Sequence, residues 1–352
     1  MNAPAPRLEI LQALRLLAAT LVFYKHALYE IDLISAIDFN FGNYNYFPVG
    51  IDIFFVLSGF IMIYISHNKP TGIKQAIDFF VRRVIRIVPI YWFYTVVTAI
   101  IAIALPHLLG KAEFIPLEFV KSLFFIPYLN SAGDMQPLLA NGWTLNYEMY
   151  FYLIFAVCLL LPVRYGVWVM VGYFMFTVYS GFDEMDHILP SFYKRFIVLE
   201  FAAGAIIGWL FLKDIRLPAA FIWVGVLFLV LSVLALFYTD TLLAHGIKYN
   251  RPLVAVLSVA LLILPKGAEH IKMPRWSVFG GDMSYTLYLA HPFAIGAVTQ
   301  ATLFTGLENI MHPWGVFIAI CIVCYTGSAL AYLWIEKPVT NTVTKAIKKA
   351  YK

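Results

Sequence analysis

The sequence predicts an all-α protein that crosses a membrane many times. Of its 352 residues, 62% are hydrophobic and 13% are charged, whereas soluble domains carry about 25% charged residues. The mean hydropathy is +0.80, and many apolar runs approach the ~20 residues that a helix needs to span a bilayer. We therefore expect one transmembrane domain over residues 8–338, followed by a basic cytoplasmic tail over residues 339–352.

Ten apolar runs predict ten crossings. They span residues 8–29, 47–66, 79–104, 144–161, 166–181, 196–212, 218–238, 252–264, 277–299 and 314–335. The loops between them alternate between basic and nearly neutral or acidic, and this alternation places both termini in the cytoplasm. It holds only if the shorter run 117–130 re-enters the membrane or lies along its outer surface. The loop 239–251 fits least well, because it should lie outside and contains Lys248 and Arg251.

The first crossing carries a cation and an imidazole on one face. Arg15 and His26 lie eleven positions apart, so at ~100° per residue they share a stripe and are separated by ~16 Å of helical rise. Charged and titratable groups are costly inside a bilayer, which makes both residues functional candidates. The run is too long for a cleavable signal peptide, so we expect it to remain as an anchor. At the other end of the chain, Glu336-Lys337-Pro338 predicts a helix end at the cytoplasmic interface.

An inner arginine cluster, formed by Arg82, Arg83 and Arg86, begins the third crossing on the cytoplasmic side. Arginines in such a place usually fix topology or bind lipid head groups. Arginine forks also match phosphate oxygens well, so a phosphorylated ligand is a second interpretation.

An outer acid/base cluster is predicted near the opposite face. It consists of His26, Asp52, Glu148 and His291. A carboxylate orients an imidazole and raises its basicity, which suits general acid/base catalysis. The same residues suit a proton relay in a transporter, and spacing alone does not separate the two functions. Further candidates to line this site are Asn146, Tyr147, Ser284, Tyr285 and Tyr288.

Several of these residues belong to motifs that occur in a known order. The motifs are Arg15-x10-His26, the run 50–60, Arg82-Arg83-x-x-Arg86, the run 143–152 around Glu148, Ser284-Tyr-Thr-Leu-Tyr-Leu-Ala-His291-Pro and Trp334-Ile-Glu336-Lys-Pro338. Together they resemble the motifs of membrane acyltransferase family 3, which includes bacterial exopolysaccharide O-acetyltransferases. The sequence of the middle motif is most similar to that of exopolysaccharide acetyltransferases of the succinoglycan-biosynthesis type.

The resemblance implies a ten-helix O-acyltransferase. It would move an acyl group, most simply acetyl, from cytoplasmic acyl-coenzyme A to a sugar hydroxyl of an extracytoplasmic or lipid-linked polysaccharide. His26 would be the general base or a transient acyl carrier, oriented by Glu148 or Asp52. The inner arginine cluster would hold the coenzyme A phosphates, and Arg15 the rest of the donor. The residues implied to bind substrate are Asn146, Tyr147, Ser284, Tyr288 and His291.

The expected setting is the bacterial cytoplasmic (inner) membrane. Acetyl-coenzyme A is the expected co-substrate, with no metal. The expected partners are the polysaccharide or lipid-linked oligosaccharide acceptor and membrane lipids, with no nucleic acid; the oligomeric state is open, a homodimer included. A transporter or flippase for a lipid-linked sugar or small anion remains the alternative, and acetyl is not separated from succinyl.

Overall fold

The computed structural model describes residues 7–35, 48–106, 114–180, 188–238 and 250–350. Within these ranges the ordered elements are helices, and extended pairing is limited to one isolated bridge between Leu217 and Pro265. The all-α prediction is therefore confirmed.

The described helices follow the predicted apolar runs, except that the predicted single run 277–299 is divided at Met283 into two helices. In chain order they are α1 (Glu9–Ile34), α2 (Val49–Ser66), α3 (Ile73–Ala104), α4 (Pro116–Leu123), α5 (Trp143–Cys158), α6 (Val163–Tyr179), α7 (Ile188–Tyr193), α8 (Val198–Leu212), α9 (Phe221–Tyr238), α10 (Arg251–Ile263), α11 (Arg275–Asp282), α12 (Ser284–Thr305), α13 (Pro313–Ala331) and α14 (Lys337–Ala350).

Three stretches in the described part of the chain are long and apolar enough to cross a membrane. They are Val49–Ser66, Ile73–Ala104 and Pro313–Ala346, and three further apolar helices are shorter. The number of crossings and the side of each terminus remain predictions. Helix α4 has only 8 residues, about 12 Å of rise, so it is too short to cross a ~30 Å hydrocarbon core.

The predicted helix end at Glu336-Lys337-Pro338 is wrong. Helix α13 continues through a π-helical turn, Tyr332–Glu336, into α14. Pro338 has no backbone N–H and cannot donate to the carbonyl group four residues earlier. The wider π turn directly before it changes the hydrogen-bond spacing and lets the helix continue.

The described chain divides into two compact units. The first contains the chain up to Ile61 and Ala203–Tyr332; the second contains Met62–Ala202 and the chain from Leu333 onward. In the first unit, α1 packs against α11, α12 and α13.

Two glycines allow α1 to approach its neighbours closely. A Cβ atom on Gly281 would lie 2.2 Å from the carbonyl oxygen of Gln12, and one on Gly50 would lie 2.3 Å from that of Ala18. Any larger residue at either position would force the helices apart. The close contact of α1 with α11 and with α2 therefore depends on glycine at these two positions.

In the second unit, α3 and α5 run antiparallel. The backbone N–H of Gly72, just before α3, donates to the carbonyl of Leu159, just after α5, at 3.1 Å. Higher up the pair, the rings of Phe79 and Phe155 meet with centroids 5.0 Å apart. Residues at equal distances from the Gly72–Leu159 bond therefore lie at similar heights along the two helices.

Candidate active site

The centre of the first unit is a pair of histidines on α1 and α12. The rings of His26 and His291 stack with their centroids 5.0 Å apart and an interplanar angle of 20°. Their facing nitrogens, Nδ1 of His26 and Nε2 of His291, are 3.1 Å apart, which is a hydrogen-bond distance. His291 is almost completely buried, with 1% of its surface exposed. Two residues of the predicted outer cluster are thus in direct contact.

The backbone determines which nitrogens of this pair carry protons. Nδ1 of His291 lies 3.3 Å from the carbonyl oxygen of Leu287. A carbonyl only accepts hydrogen bonds, so Nδ1 carries the proton and Nε2 of the neutral ring is an acceptor. Nδ1 of His26 then donates to it, and the lone pair of His26 lies on Nε2. The arrangement presents His26 as a base.

The stripe of α1 that carries Arg15 and His26 lies between two close helix contacts. At ~100° per residue, both residues fall between Ala18, which approaches α2, and Gln12, which approaches α11. Arg15 is half-buried and its Nη1 donates to Oε1 of Gln12 at 3.3 Å. The sequence-based prediction that Arg15 and His26 share one face of a continuous helix is confirmed.

An apolar cavity of about 560 Å³ also lies beside α1. Its lining includes Leu17, Thr20, Trp276 and Tyr325. Thr20 and Tyr325 are hydrogen-bonded to each other at 2.8 Å. The α1 residues of this lining, Ala13, Leu16, Leu17 and Thr20, lie ~80–180° around the helix from His26. The cavity is therefore centred on a different face of α1 from the Arg15–His26 stripe.

The structure pairs Asp52 with Arg251 at 3.9 Å. Asp52 is buried on α2, with 5% of its surface exposed, and Arg251 begins α10. This ion pair gives a reason for the arginine in the loop 239–251, which the alternation of loop charges does not explain. Lys248 lies outside the described residues.

In the second unit, Arg83 and Glu148 meet at one tyrosine. Tyr152 donates a short hydrogen bond from its hydroxyl to Oε1 of Glu148. The guanidinium of Arg83 lies 5.8 Å from the centre of the Tyr152 ring and 5.6 Å from that of Phe79. Arg83 also interacts electrostatically with Glu148. Arg83 on α3 and Glu148 on α5 are each eleven residues from the Gly72–Leu159 bond, or ~16 Å along the helices.

The prediction that Arg83 and Glu148 belong to clusters on opposite faces is therefore wrong. Loop charges assign a helix end to a side of the membrane but do not give the depth of each residue along it. The α3–α5 pairing brings the two residues to one height. We call Arg83, Glu148, Tyr152 and Phe79 the arginine–glutamate site.

Further positive charge surrounds the arginine–glutamate site. Arg86 is half-buried and interacts electrostatically with Arg83. Lys69 lies between α2 and α3 and is exposed overall. The pKa of its ammonium group is lowered, first by desolvation and then by the charges of Arg82 and Arg83. Arg82 forms only a partly exposed pair with Asp78 at 3.8 Å. Such a concentration of cations favours a ligand with several negative charges.

Arg83 also has an unused donor. Its Nε atom is buried and has no hydrogen-bond partner among the described residues. A buried donor without a partner is costly, and a phosphate oxygen would satisfy it. This donor and the surrounding cations therefore suit an anionic group such as a phosphate.

The remaining substrate-binding candidates differ in their surroundings. Oδ1 of Asn146 is buried without a hydrogen-bond partner in the described part of the chain. Tyr288 lies in the first unit beside His291, with ring centroids 6.0 Å apart. Tyr147 is buried, and its hydroxyl donates to the carbonyl of Phe192 at 2.5 Å. The Ser284 hydroxyl is also buried and donates to the carbonyl of Gly281 at 2.8 Å. The contacts of Tyr147 and Ser284 indicate packing roles.

Sequence reasoning did not single out Tyr152, although the residue lies in the motif 143–152 around Glu148. The available signal was its position four residues after Glu148, because such residues are neighbours on a helix surface. Lys69 was not a predicted site residue; it precedes α3, the helix that carries Arg82 and Arg83.

Comparisons with known proteins identify the family of the chain. Residues 8–333 match the acyltransferase 3 family, described as an acyltransferase domain. The chain is 35% identical over 301 residues to the exopolysaccharide production protein ExoZ of Rhizobium meliloti (strain 1021), covering 82% of this chain and 88% of that protein. No solved structure matches the chain.

Two peptidoglycan O-acetyltransferases are also similar to the chain. The putative enzyme YrhL of Bacillus subtilis (strain 168) is 25% identical over 338 residues, which cover 86% of this chain and 52% of YrhL. OatA of Listeria monocytogenes serovar 1/2a (strain ATCC BAA-679 / EGD-e) is 33% identical over 131 residues, which cover 33% of this chain and 20% of OatA. The match over residues 8–333 and these relatives confirm the resemblance that the motifs indicate: the chain belongs to the acyltransferase 3 family of membrane proteins and is an O-acyltransferase.

Proposed function

We propose that the protein transfers an acyl group, acetyl in the simplest case, from cytoplasmic acyl-coenzyme A to a sugar hydroxyl of a polysaccharide. The acceptor is an extracytoplasmic or lipid-linked exopolysaccharide, and the setting is the bacterial inner membrane. The single observation that carries the proposal is the hydrogen bond from Nδ1 of His26 to Nε2 of His291. This hydrogen bond leaves Nε2 of His26 as a basic nitrogen on a helix of the acyltransferase domain.

In the proposed reaction, Nε2 of His26 takes the proton of the acceptor hydroxyl. The hydroxyl oxygen attacks the thioester carbonyl carbon, the carbon–sulfur bond breaks, and the coenzyme A thiolate leaves. His26 then returns the proton to sulfur, so the products are an O-acyl sugar and free coenzyme A. His291 accepts from Nδ1–H of His26 throughout, which keeps the ring oriented and stabilises its transient positive charge.

The donor phosphates are assigned to the arginine–glutamate site and its surrounding cations. Arg83 offers a buried donor, Nε, with no hydrogen-bond partner in the ranges that the structure describes. Lys69, Arg82 and Arg86 add positive charge around it. Arginine and phosphate form charge-assisted, often bidentate hydrogen bonds. Arg15 is the remaining cation on the stripe that leads to His26, and we assign it to the donor as well.

The relatives support the choice of acceptor. The relative that shares most of its length with this chain is named an exopolysaccharide production protein, whereas the two peptidoglycan O-acetyltransferases are covered over 52% and 20% of their lengths. An exopolysaccharide is therefore a better-supported acceptor than peptidoglycan.

The test uses purified full-length protein, acetyl-coenzyme A labelled in the acetyl group, and extracted exopolysaccharide. We expect label in the polysaccharide and an equal amount of free coenzyme A thiol. His26→Ala should reduce both by ~10²–10⁴-fold, the usual contribution of a general base. His270→Ala is the matched control, because the His270 side chain is 84% exposed, and it should retain activity.

Two results would overturn the proposal. One is transfer by a folded His26→Ala variant at the rate of the His270→Ala control. The other is movement of a lipid-linked sugar across proteoliposomes without loss of acyl groups from the donor, which would instead support a flippase.

A further inference from the structure

Tyr152 occupies a position that touches both charged groups of the arginine–glutamate site. It lies on α5, one helical turn after Glu148, and only 3% of its surface is exposed. Its hydroxyl donates to Oε1 of Glu148, and its ring lies 5.8 Å from the guanidinium of Arg83. One buried side chain thus contacts an anion through its polar end and a cation through its aromatic surface.

The surroundings hold the Tyr152 ring in one orientation. Its edge-to-face partner is Phe79, with centroids 6.1 Å apart and an interplanar angle of 79°. Phe79 in turn packs on Phe155, which continues the contact between α3 and α5. A tyrosine has only two side-chain torsions, so a packed ring fixes the direction of its hydroxyl with little further loss of entropy. The hydroxyl is therefore aimed at Glu148 by packing.

The position of Glu148 matters because its half-buried side chain interacts electrostatically with the half-buried Arg83. At low local dielectric, small displacements of opposite charges change their interaction strongly. A hydroxyl fixed in direction favours the carboxylate rotamer whose oxygen accepts its hydrogen bond. The hydrogen bond thus sets the geometry in which Glu148 acts beside Arg83.

We infer that Tyr152 is a positioning residue for acyl transfer: its hydroxyl orients Glu148 while its ring holds Arg83 in place. The inference rests on the proposed function, in which Arg83 binds the donor, and on the role in the reaction that the motif resemblance implies for Glu148. It predicts that the tyrosine hydroxyl acts on turnover through Glu148, and that the tyrosine ring acts on donor binding through Arg83.

The experiment compares Tyr152→Phe with Tyr150→Phe in the purified full-length protein. Tyr150 lies on the same helix and its hydroxyl is bonded to the hydroxyl of Tyr173 at 2.9 Å, so this control also removes one tyrosine hydrogen bond. Tyr152→Phe keeps the ring beside Arg83. We expect kcat to fall about tenfold or more, as for loss of a hydrogen bond to a charged group. The KM for acetyl-coenzyme A should stay within about threefold of wild type, and Tyr150→Phe should have a near-normal kcat.

A double variant tests whether Tyr152 acts through Glu148. If it does, Tyr152→Phe combined with Glu148→Gln should be no slower than Glu148→Gln alone, because the shared interaction is lost only once. Tyr152→Leu, which also removes the ring, should additionally raise the KM for acetyl-coenzyme A. Thermal unfolding in detergent verifies that each variant is folded.

The inference is overturned if Tyr152→Phe matches Tyr150→Phe, or if the effects of Tyr152→Phe and Glu148→Gln on kcat simply multiply. These failures differ from failure of the proposed function. If folded Arg83→Ala and Glu148→Gln variants both transfer acetyl at the wild-type rate, the assigned roles of Arg83 and Glu148 fall. If those two variants are impaired and Tyr152→Phe is not, only the role of Tyr152 falls.

Discussion

Replacing His291 tests how the base is oriented. His291→Phe keeps an aromatic ring in the buried space but removes the Nε2 acceptor for Nδ1–H of His26. A buried donor left without its acceptor costs about 1–3 kcal/mol. The orientation of His26 that this hydrogen bond holds loses the same amount of stabilisation. We therefore expect kcat to fall about 5–150-fold, less than for His26→Ala.

A second variant separates orientation from packing. In His291→Gln the side-chain oxygen can still accept from Nδ1–H of His26, so kcat should recover part of the loss seen in His291→Phe. The KM for acetyl-coenzyme A should change little in either variant, because neither touches the assigned phosphate site. The assay is release of coenzyme A thiol with polysaccharide as acceptor, after thermal unfolding has shown that both variants are folded.

The reasoning would be refuted by a folded His291→Phe variant with the kcat of wild type. It would also be refuted if His291→Gln were as slow as His291→Phe while both retained wild-type melting temperatures. In either case the 3.1 Å contact between the two rings would have no role in presenting His26 as a base.

Three further predictions concern packing, the buried ion pair and the cationic rim. Gly281→Ala should lower the melting temperature, because its Cβ would lie 2.2 Å from a carbonyl oxygen of α1. Gly296→Ala should be neutral or stabilising, because a Cβ there would have no atom of the described residues within 4 Å. Equal shifts of the two melting temperatures would contradict the packing. Asp52→Asn should destabilise the protein, and adding Arg251→Gln should recover part of the loss if the two form a pair; additive losses would argue against it. Lys69→Gln should weaken coenzyme A binding in calorimetry a few-fold at low salt and less at high salt. Because the pKa of Lys69 is lowered, wild-type affinity should fall as pH rises toward that pKa, and Lys69→Gln should flatten this fall; an unchanged pH dependence would contradict the assignment.

The fold class and the helices were largely predictable because composition and apolar runs determine them. The motif Arg15-x10-His26 also predicted correctly that both side chains share one face of a single helix. Loop charges predicted that His291 lies near His26, and the structure brings the two rings into contact. In these cases the information is local, or follows from the side of the membrane to which each helix end is assigned.

The errors arose where depth and pairing decide the outcome. Arg83 and Glu148 were separated because loop charges report the ends of helices, whereas the register of α3 against α5 depends on long-range contacts such as the bond between Gly72 and Leu159. The continuation of α13 past Pro338 likewise depends on a π turn that the local pattern does not predict.

Polar residues in motifs were also hard to rank from sequence. Tyr147 and Ser284 are neighbours of functional residues in the motifs, but their hydroxyls bond to backbone carbonyls. Tyr152 carried no assigned role, yet it contacts both Arg83 and Glu148. Only three-dimensional partners distinguish a packed hydroxyl from one that orients a charged group.

The most direct test of the central claim is mass spectrometry of the surface polysaccharide from three strains. One strain carries the wild-type chain, one lacks it, and one carries His26→Ala at an equal level in the membrane. We predict O-acyl groups on the polysaccharide of the wild-type strain and their loss in the other two. Polysaccharide from the His26→Ala strain acylated to the wild-type level, or no difference between the wild-type strain and the strain that lacks the chain, would contradict the account.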